Sequence, residues 1–175
     1  MKESALLGRR VVVKSRMVKG YREAGLDTKL RTERTRGEAR LLHKAKTAGV
    51  SCPTVLEVGD FDITMSFVEG KRPEMGRDEA YEAGRILARL HEADIIHGDY
   101  TPANLIREDG GAIYVIDFGL GFISKDIEDK AVDVFTMLRA ISERDAFIAG
   151  YRGYAKAKEV LVRVKDVEKR VRYAV

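Results

Sequence analysis

Short runs of β-branched residues mark strands in the first third of the chain. The three valines at 11–13 predict a strand that ends at Lys14. Residues 54–58 and 63–68 predict two more strands, joined by a Gly-Asp turn. These three runs indicate a small β-rich unit near the start of the chain.

A long polar segment separates the first two of these strands. Residues 15–30 contain two glycines and no regular spacing of apolar residues, which predicts a loop. Thr32 is suited to cap a helix that runs to about Ala48, where Gly49 favours termination. The pattern therefore predicts one highly charged helix between the strands.

The rest of the chain has mainly helical spacing of its apolar positions. Residues 69–76 contain two glycines and a proline and predict a linker, after which Asp78 can cap a helix. The apolar residues that recur at helical spacing there are Ala80, Ala83, Leu87 and Leu90.

Further along, a polar loop is expected at 95–106, a buried strand at 113–116, and helices at 128–141 and 155–171. The residues expected on the buried face of the first of these helices are Val132, Phe135 and Leu138. Those expected on the buried face of the second are Val160, Val164, Val167 and Val171.

Composition narrows the classes of protein to consider. The chain has 175 residues, 45% of them hydrophobic, which is enough for a packed core. Cys52 is the single cysteine, so a disulfide within the chain and a cysteine-built zinc site are excluded. No apolar run approaches 18 residues and no signal peptide is recognisable. We therefore expect a cytoplasmic protein with no membrane partner.

Charge is distributed unevenly along the sequence. The net charge is +9 over residues 1–50, −10 over 51–150 and +5 over 151–175. Basic ends suggest a polyanionic partner, and the acidic middle suggests a cation site. An ion-pair-rich, solvated surface explains the same distribution, so charge alone leaves both interpretations open.

The residues with the clearest chemistry occur in a fixed order. His-Gly-Asp at 97–99 is followed by Asn104, and Ile-Asp-Phe-Gly at 116–119 follows the next predicted strand. Upstream, Lys14 ends a strand and Glu38 lies 24 residues later, within the charged helix. This order and spacing match the signature set of protein kinases.

Each residue type suits a step of phosphoryl transfer from ATP. Lys14 can hold phosphates and Glu38 can orient it, although Glu33 competes for that role. Asp117 and Asn104 offer the oxygen ligands that Mg²⁺ prefers. Asp99 can orient or deprotonate a nucleophile. Any one of these residues alone is more often structural, and the prediction depends on their combination.

The chain resembles the small atypical kinase subunit of the KEOPS (EKC) complex, which serves threonylcarbamoyladenosine modification of tRNA. The resemblance runs from about Leu7 to the last residue, and EDKAVD is its most specific piece. RIO kinases and aminoglycoside phosphotransferases share parts of the set but not EDKAVD. The segments that carry the resemblance are VVVKSRMVKGYREAGLD, ERTRGEARLLHKAKTAGV, IIHGDYTPANLI, VIDFGLGFISKDIEDKAVDVF and VEKRVRYAV.

The resemblance implies a minimal, kinase-like α+β fold with two lobes. A small β-rich N-terminal lobe would cover residues 1–68 and a helical C-terminal lobe residues 69–175, with ATP and Mg²⁺ between them. ATP hydrolysis and weak Ser/Thr kinase activity are implied. The expected partners are the other KEOPS subunits, chiefly the threonylcarbamoyl-transferring one, and tRNA.

The resemblance also implies roles for individual residues. Lys14 would bind phosphate with Glu38 as its partner, Asp99 would be catalytic, and Asn104 and Asp117 would bind the metal. The residues expected at the adenine end of the ATP site are Met65, Ser66, Phe67 and Glu69. Asp133 would anchor the catalytic loop. The basic residues expected to contact tRNA are Arg163, Lys165, Lys169, Arg170 and Arg172.

Three features depart from the usual kinase or family pattern. A Gly-x-Gly-x-x-Gly loop is absent from the sequence, and only residues 3–5 are left of the family's own phosphate loop, so the first strand is expected to be missing. The catalytic loop reads HGDYTPAN where family members commonly have HGDLTTSN. It lacks the arginine of the His-Arg-Asp motif, and only 16 residues separate Asp117 from Asp133. We therefore expect a very short activation segment without a peptide-docking platform.

Two other classes of function remain open at this point. A small-molecule phosphotransferase of the aminoglycoside type shares the His-Gly-Asp and Asn pattern, but it needs a helical substrate subdomain for which little chain remains. A pseudokinase that binds nucleotide without turnover is favoured by the missing phosphate loop. The intact set of Lys14, Glu38, Asp99, Asn104 and Asp117 argues against it.

Overall fold

The computed structural model describes residues 1–173 and the side chains as far as Val171. Its first half contains a four-stranded antiparallel sheet in the order β1-β2-β4-β3. The strands of this sheet are β1 (Lys2–Leu6), β2 (Arg9–Ser15), β3 (Val55–Val58) and β4 (Asp62–Ser66). The β-rich unit at the start of the chain is thereby confirmed.

The first strand, expected to be missing, is present. β1 pairs with β2 along its whole length, from Lys2 opposite Val13 to Leu6 opposite Arg9. The two-residue turn between them has positive φ angles, 49° at Leu7 and 74° at Gly8, as in the primed turns that suit hairpins. All five residues of β1 are exposed. Because neither face of β1 is buried, its sequence lacks the alternation of apolar and polar residues from which a strand is predicted.

Within residues 1–173, five α-helices provide most of the remaining structure. They are α1 (Ala24–Thr47), α2 (Arg77–Glu92), α3 (Ile127–Ala140), α4 (Arg144–Tyr151) and α5 (Ala157–Tyr173). The sequence pattern predicted four of these, and α4 was not anticipated. The fold class, an N-terminal antiparallel sheet followed by a helical part, is as expected. A boundary between residues 68 and 69 stays a prediction.

The helix α1 begins about two and a half turns earlier than predicted. Its N-cap is Glu23, whose carboxylate accepts hydrogen bonds from the N–H groups of Gly25 (2.8 Å) and Leu26 (2.7 Å). These bonds satisfy two of the free N–H groups that a helix start leaves. The predicted cap at Thr32 was therefore wrong, because a glutamate can cap and a glycine in the first turn does not prevent a helix.

Short strands shape the segment that was predicted to be a plain loop. β5 (Ile95–Ile96) pairs with β8 (Phe122–Ile123), and β6 (Leu105–Arg107) pairs with β7 (Ile113–Val115). A 3₁₀ turn at Pro102–Asn104 leads into β6. The strand predicted at 113–116 is confirmed to within one residue. The β5–β8 pair brings the chain that follows Asp117 next to the catalytic-loop segment.

The buried face of α3 was assigned incorrectly in part. Val132 is exposed and Phe135 is only partly buried. Two charged residues, Lys130 and Asp133, occupy the buried face instead. Apolar spacing alone misplaces the face of a helix that buries charges. On α5, by contrast, Val160, Val164 and Val167 are buried as expected, and Val171 is 37% exposed.

One contiguous apolar core joins the sheet to the helices. Leu42 of α1 and Ile63 of β4 belong to the same cluster as Leu87 of α2, Val115 of β7 and Val160 of α5. None of the helices within residues 1–173 is both long and apolar enough to cross a membrane.

Two glycines allow α2 and α4 to pack closely. A Cβ at Gly84 would lie 2.1 Å from the carbonyl oxygen of Phe147, and one at Gly150 would lie 2.0 Å from that of Tyr81. Any side chain at either position would push the helices apart.

The one cysteine lies between α1 and β3. Cys52 is fully buried, and its Sγ lies 3.4 Å from the carbonyl oxygen of Leu42. Burial raises the pKa of this thiol to about 11, although the nearby charge of Lys46 opposes the rise. The cysteine is therefore a core residue that remains a thiol at neutral pH.

Candidate active site

The fold brings three charged residues from distant parts of the chain into direct contact. Lys14 near the end of β2 donates hydrogen bonds to Glu38 of α1 (Nζ to Oε1, 2.7 Å) and to Asp117 after β7 (Nζ to Oδ1, 2.6 Å). Glu38 and Asp117 lie 24 and 103 residues from Lys14 in the sequence. The spacing-based pairing of Lys14 with Glu38 is thus seen directly as an ion pair.

A second cation completes the arrangement at Glu38. Arg16 Nη2 donates to Glu38 Oε2 at 2.6 Å, so each carboxylate oxygen of this buried residue has its own cation. Arg16 follows Lys14 by two residues, the spacing that places side chains on one face of a strand. That spacing was the available signal, and sequence analysis missed it. The competing residue Glu33 is exposed and lies 4.0 Å from Lys29.

The backbone at Asp117 adopts an uncommon conformation. Its φ angle is 60°, in the left-handed region that non-glycine residues rarely visit, and such residues cluster at functional sites. The N–H of Gly119 donates to Asp117 Oδ1 at 3.1 Å. Burial alone would raise the pKa of the Asp117 carboxyl. The hydrogen bond and charge of Lys14 outweigh burial and hold this pKa below its usual value, so the carboxylate is ionised.

Asp133 holds the catalytic-loop segment through its backbone. The buried carboxylate accepts hydrogen bonds from the N–H groups of His97 (2.6 Å) and Gly98 (2.8 Å). His97 Nε2 lies 3.1 Å from the carbonyl oxygen of Ile116, and its Nδ1 accepts from the N–H of Asp99 at 3.3 Å. This geometry is what an anchor for the loop requires. It also ties the loop to Ile116, the residue that follows β7.

Both buried histidines of this region are uncharged. Burial lowers the pKa of His97 and of His91, and the nearby Asp133 opposes this only in part. A neutral His97 that donates from Nε2 to the carbonyl of Ile116 leaves Nδ1 free to accept, which agrees with the bond from Asp99. His91 Nδ1 lies 2.6 Å from the hydroxyl oxygen of Tyr151, and its Nε2 lies 3.4 Å from Asp133 Oδ2.

The glycine that replaces the usual arginine of the catalytic loop is required by the backbone. Gly98 has a φ of 80°, and a Cβ there would lie 2.4 Å from the carbonyl oxygen of Leu120. A side chain would therefore meet rigid backbone in a conformation that already favours glycine. The His-Gly-Asp sequence reflects close contact between the catalytic loop and the segment after Asp117.

Asp99 and Asn104 form a hydrogen-bonded pair within the catalytic-loop segment. Asn104 Nδ2 donates to Asp99 Oδ2 at 2.9 Å and to the Asp99 carbonyl oxygen at 2.8 Å. The carbonyl oxygen of Asn104 accepts from the N–H of Ile116 at 2.9 Å, which places Asn104 beside the strand that leads to Asp117. Asp99 is exposed and accessible to a substrate.

A cleft of about 260 Å³ adjoins this cluster. Three of the four residues predicted at the adenine end line it, namely Met65, Ser66 and Phe67. The fourth, Glu69, is exposed and pairs with Arg10 at 2.5 Å instead of lining the cleft. Other residues that line the cleft were not singled out in the sequence analysis, among them Val12, Val68, Ile106 and Ile116.

The predicted tRNA-contacting residues of α5 fall into two groups. Arg163 and Arg170 both form ion pairs with Glu128 of α3. Lys165 and Lys169 have no ion-pair partner among residues 1–171. Arg172 lies in the helix, but its side chain is outside the described residues. Two of the five predicted contacts are therefore engaged within the protein.

The metal-ligating capacity of the site is limited to oxygen atoms. No cluster of three or more His, Cys, Asp or Glu side chains suited to a metal occurs in the part of the chain that is described. Asp117 and Asn104 offer a carboxylate and an amide oxygen. A hard cation that takes its remaining ligands from phosphate and water fits such a pair, whereas a zinc-type site does not.

Comparison with known proteins places these features in context. Residues 9–131 match the family model described as the RIO domain. The chain is 44% identical over 173 residues to a probable serine/threonine-protein kinase BUD32 homolog of Archaeoglobus fulgidus, covering 93% of this chain and 88% of that protein. It is 38% identical to the KEOPS complex subunit Bud32 of Pyrococcus abyssi, covering 94% and 84%.

Other relatives are much longer than this chain. A probable bifunctional tRNA threonylcarbamoyladenosine biosynthesis protein of Methanocaldococcus jannaschii is 38% identical over 190 residues. That match covers 99% of this chain and 35% of the longer protein. The chain thus spans about a third of the bifunctional relative.

Among solved structures, the Rio2 kinase of Chaetomium thermophilum in an ADP/Mg²⁺-phosphoaspartate complex matches with a TM-score of 0.62. The match covers 95% of this chain and 64% of that one at 17% sequence identity. At this identity the likeness supports a shared kinase-like fold.

Proposed function

Because the chain belongs to the RIO-domain family and is a Bud32 homologue, we propose that it is an ATP-dependent kinase and ATPase subunit of a KEOPS complex. There it would support threonylcarbamoyladenosine modification of tRNA in the cytoplasm. The observation that carries the proposal is the contact of Lys14 with both Glu38 and Asp117 beside the cleft. Relatives with the names Bud32 and BUD32 homolog are matched over most of their length.

The base of ATP would occupy the apolar part of the cleft. Val12, Met65 and Ile116 line it with side chains suited to an adenine ring. The N–H of Ser66 already donates to Thr54, and other neighbouring backbone groups are similarly engaged. The N–H of Val68 has no partner within residues 1–173. We therefore propose Val68, rather than Glu69, as the backbone donor to adenine.

The phosphates would lie at the charged end of the cleft. Lys14 has the position to bind them, and Glu38 and Arg16 fix its direction. Mg²⁺ would be held by Asp117 and Asn104, and when bound it neutralises charge on the phosphates. The low pKa of Asp117 keeps the carboxylate ready to bind a cation.

Asp99 is the proposed catalytic residue. It is exposed, and the bond from Asn104 Nδ2 fixes one of its carboxylate oxygens. The other oxygen can accept the proton of a hydroxyl group or of water as the phosphoryl group is transferred. Transfer to a Ser or Thr hydroxyl gives a phosphoprotein, and transfer to water gives ADP and phosphate.

Two alternative functions have weaker support. A small-molecule phosphotransferase needs a substrate subdomain, and the helices α2 to α5 within residues 1–173 pack into the core without forming one. A pseudokinase would have little reason to retain the pairs that Lys14 makes with Glu38 and Asp117.

Phosphate release from ATP by the purified chain tests the proposal. We expect Asp117→Ala to reduce turnover by about 100-fold, because the charged metal ligand is lost. Asp109→Ala, which removes an exposed carboxylate in the β6–β7 turn, is the matched control and should be silent. Equal turnover by the wild type and Asp117→Ala would refute the site assignment. The KEOPS role is tested by measuring threonylcarbamoyladenosine formation on tRNA by the threonylcarbamoyl-transferring subunit with and without this chain.

A further inference from the structure

A cationic groove lies on the helical part of the molecule, apart from the cleft. It has a volume of about 570 Å³ and runs between the α4–α5 turn and α5. Its charged lining consists of Arg152, Lys158 and Lys165, and no carboxylate lines it. Leu161 and Val162 provide an apolar floor, and Val162 is 59% exposed.

The cations of the groove form no ion pairs with the described side chains. Within residues 1–171, no ion pair involves Arg152, Lys158 or Lys165. Three like charges facing one groove repel one another, so the surface gains stability when an anion binds. Without pairing inside the protein, these three cations are available to an anionic ligand.

The two basic faces of α5 differ in this respect. Lys158 and Lys165 are seven residues apart and share one face of the helix. Arg163 and Arg170 are also seven residues apart, but they face α3 and both pair with Glu128. One face has its cations paired within the protein, and the other carries unpaired cations.

The spacing of the cations favours a polymer over a single anion. Seven residues of α-helix span about 10.5 Å, so Lys158 and Lys165 are spaced to contact different charges along a polymer. A chain that carries a charge at each repeat can reach both, and lysine and arginine are the usual contacts of a nucleic-acid backbone. The apolar floor between them can accommodate sugar or base.

We propose that this groove binds the phosphate backbone of RNA. The choice of RNA rests on the proposed function in tRNA modification, and the groove itself rests on the charges and geometry described above. Arg152 and Lys158, absent from the sequence-based set, become contacts, whereas Arg163 and Arg170 become structural. An acidic protein partner is the competing occupant.

Binding of a tRNA transcript to the full chain at several salt concentrations tests the proposal. The double variant Lys158→Gln/Lys165→Gln loses two charges from the groove. We expect it to reduce the slope of log affinity against log salt by about 1.4 to 1.8 in magnitude, and affinity by about tenfold or more. Arg163→Gln/Arg170→Gln is the matched control, with the same charge loss and spacing on the same helix. It should leave the salt slope unchanged.

Each outcome bears on the groove separately from the ATP chemistry. Equal losses in the two double variants, a larger loss in the arginine variant, or no tRNA binding by the wild type would overturn the proposal. The proposal would also be overturned if the lysine variant still bound RNA as the wild type does. Loss of binding to an acidic protein by that variant would then assign the groove to the competing occupant. Basal ATP hydrolysis, measured in parallel, tests the proposed function independently. Turnover without groove-dependent binding refutes the groove alone, and the reverse result refutes the ATPase alone.

Discussion

At the scale of single residues, the charge balance around Glu38 explains how the lysine of the cleft is kept in place. The carboxylate is 2% exposed and is shared between Lys14 and Arg16. Both cations have limited exposure, so neither can move freely into solvent. The arrangement fixes Lys14 before any nucleotide arrives, which is the preorganisation that phosphoryl transfer needs.

We expect Glu38→Gln to lower the unfolding free energy by about 1–3 kcal/mol, because two buried hydrogen-bonded cations lose their counter-charge. The kcat/KM for ATP should fall by about 10- to 100-fold as Lys14 loses its orientation. Glu33→Gln is the control, and its exposed pair with Lys29 should matter by less than about 0.5 kcal/mol. Chemical denaturation and phosphate release measure both effects. The reverse ranking of the two variants would reassign the partner to Glu33.

Gly98 gives a second prediction at this scale. We expect Gly98→Ala to destabilise the protein by more than Gly111→Ala and to reduce ATP turnover by about 10-fold or more. Both glycines have positive φ, but a Cβ at Gly111 would meet no atom within 4 Å. The control therefore carries the backbone cost alone, about 1 kcal/mol. Equal destabilisation and full activity in both variants would show that contact with Leu120 is unimportant.

At the scale of elements, close packing of α2 on α4 depends on two small residues. We expect Gly84→Ala and Gly150→Ala each to cost about 1–3 kcal/mol, because the added methyl group meets the backbone of the facing helix. Gly37→Ala in α1 should instead stabilise by about 0.5–1 kcal/mol, since nothing lies within 4 Å. Thermal unfolding of the three variants measures the contrast. Stabilisation by Gly84→Ala would mean that the helices can separate without cost.

The elements also show what could be predicted from the sequence. Strands and helices with one apolar face, such as β4 and α5, follow directly from spacing. β1 has no buried face and α3 buries Lys130 and Asp133, so their hydrophobic patterns were silent or misleading. The short helix α4 has too few turns to establish a period before it ends.

Three residues that the structure brings into contact had been singled out from the sequence. Lys14, Glu38 and Asp117 were identified because their residue types occur at spacings typical of kinases. Arg16 and Val68 were missed because their importance depends on neighbours in space. Pairing of Arg163 and Arg170 with α3 likewise could not be deduced without knowing which faces of the helices meet.

At the scale of the whole molecule, buried neutral histidines make stability depend on pH. His91 and His97 have lowered pKa values because of burial. Below about pH 6.5 the unfolded chain takes up protons at these positions while the folded protein does not. The unfolding free energy therefore falls as the pH decreases from about 6.5 towards the lowered folded-state values.

We expect the loss to approach about 1.4 kcal/mol per pH unit for each buried histidine. Urea denaturation between about pH 7 and 5 measures this slope. His91→Gln should remove about one histidine's share, whatever its effect on absolute stability. A slope that is the same in the variant and the wild type would show that His91 becomes charged in the folded protein.

The position of the one cysteine has a practical consequence for following this protein in solution. Cys52 lies in the core beneath α1, and the pKa of its thiol is raised to about 11. In the native state the thiol is therefore both inaccessible to a thiol-specific reagent and too weakly ionised to react with it. Labelling can proceed only through opening of the core around α1 and β3. The rate at which Cys52 is labelled under native conditions therefore reports how often this part of the core opens, and no engineered probe is required.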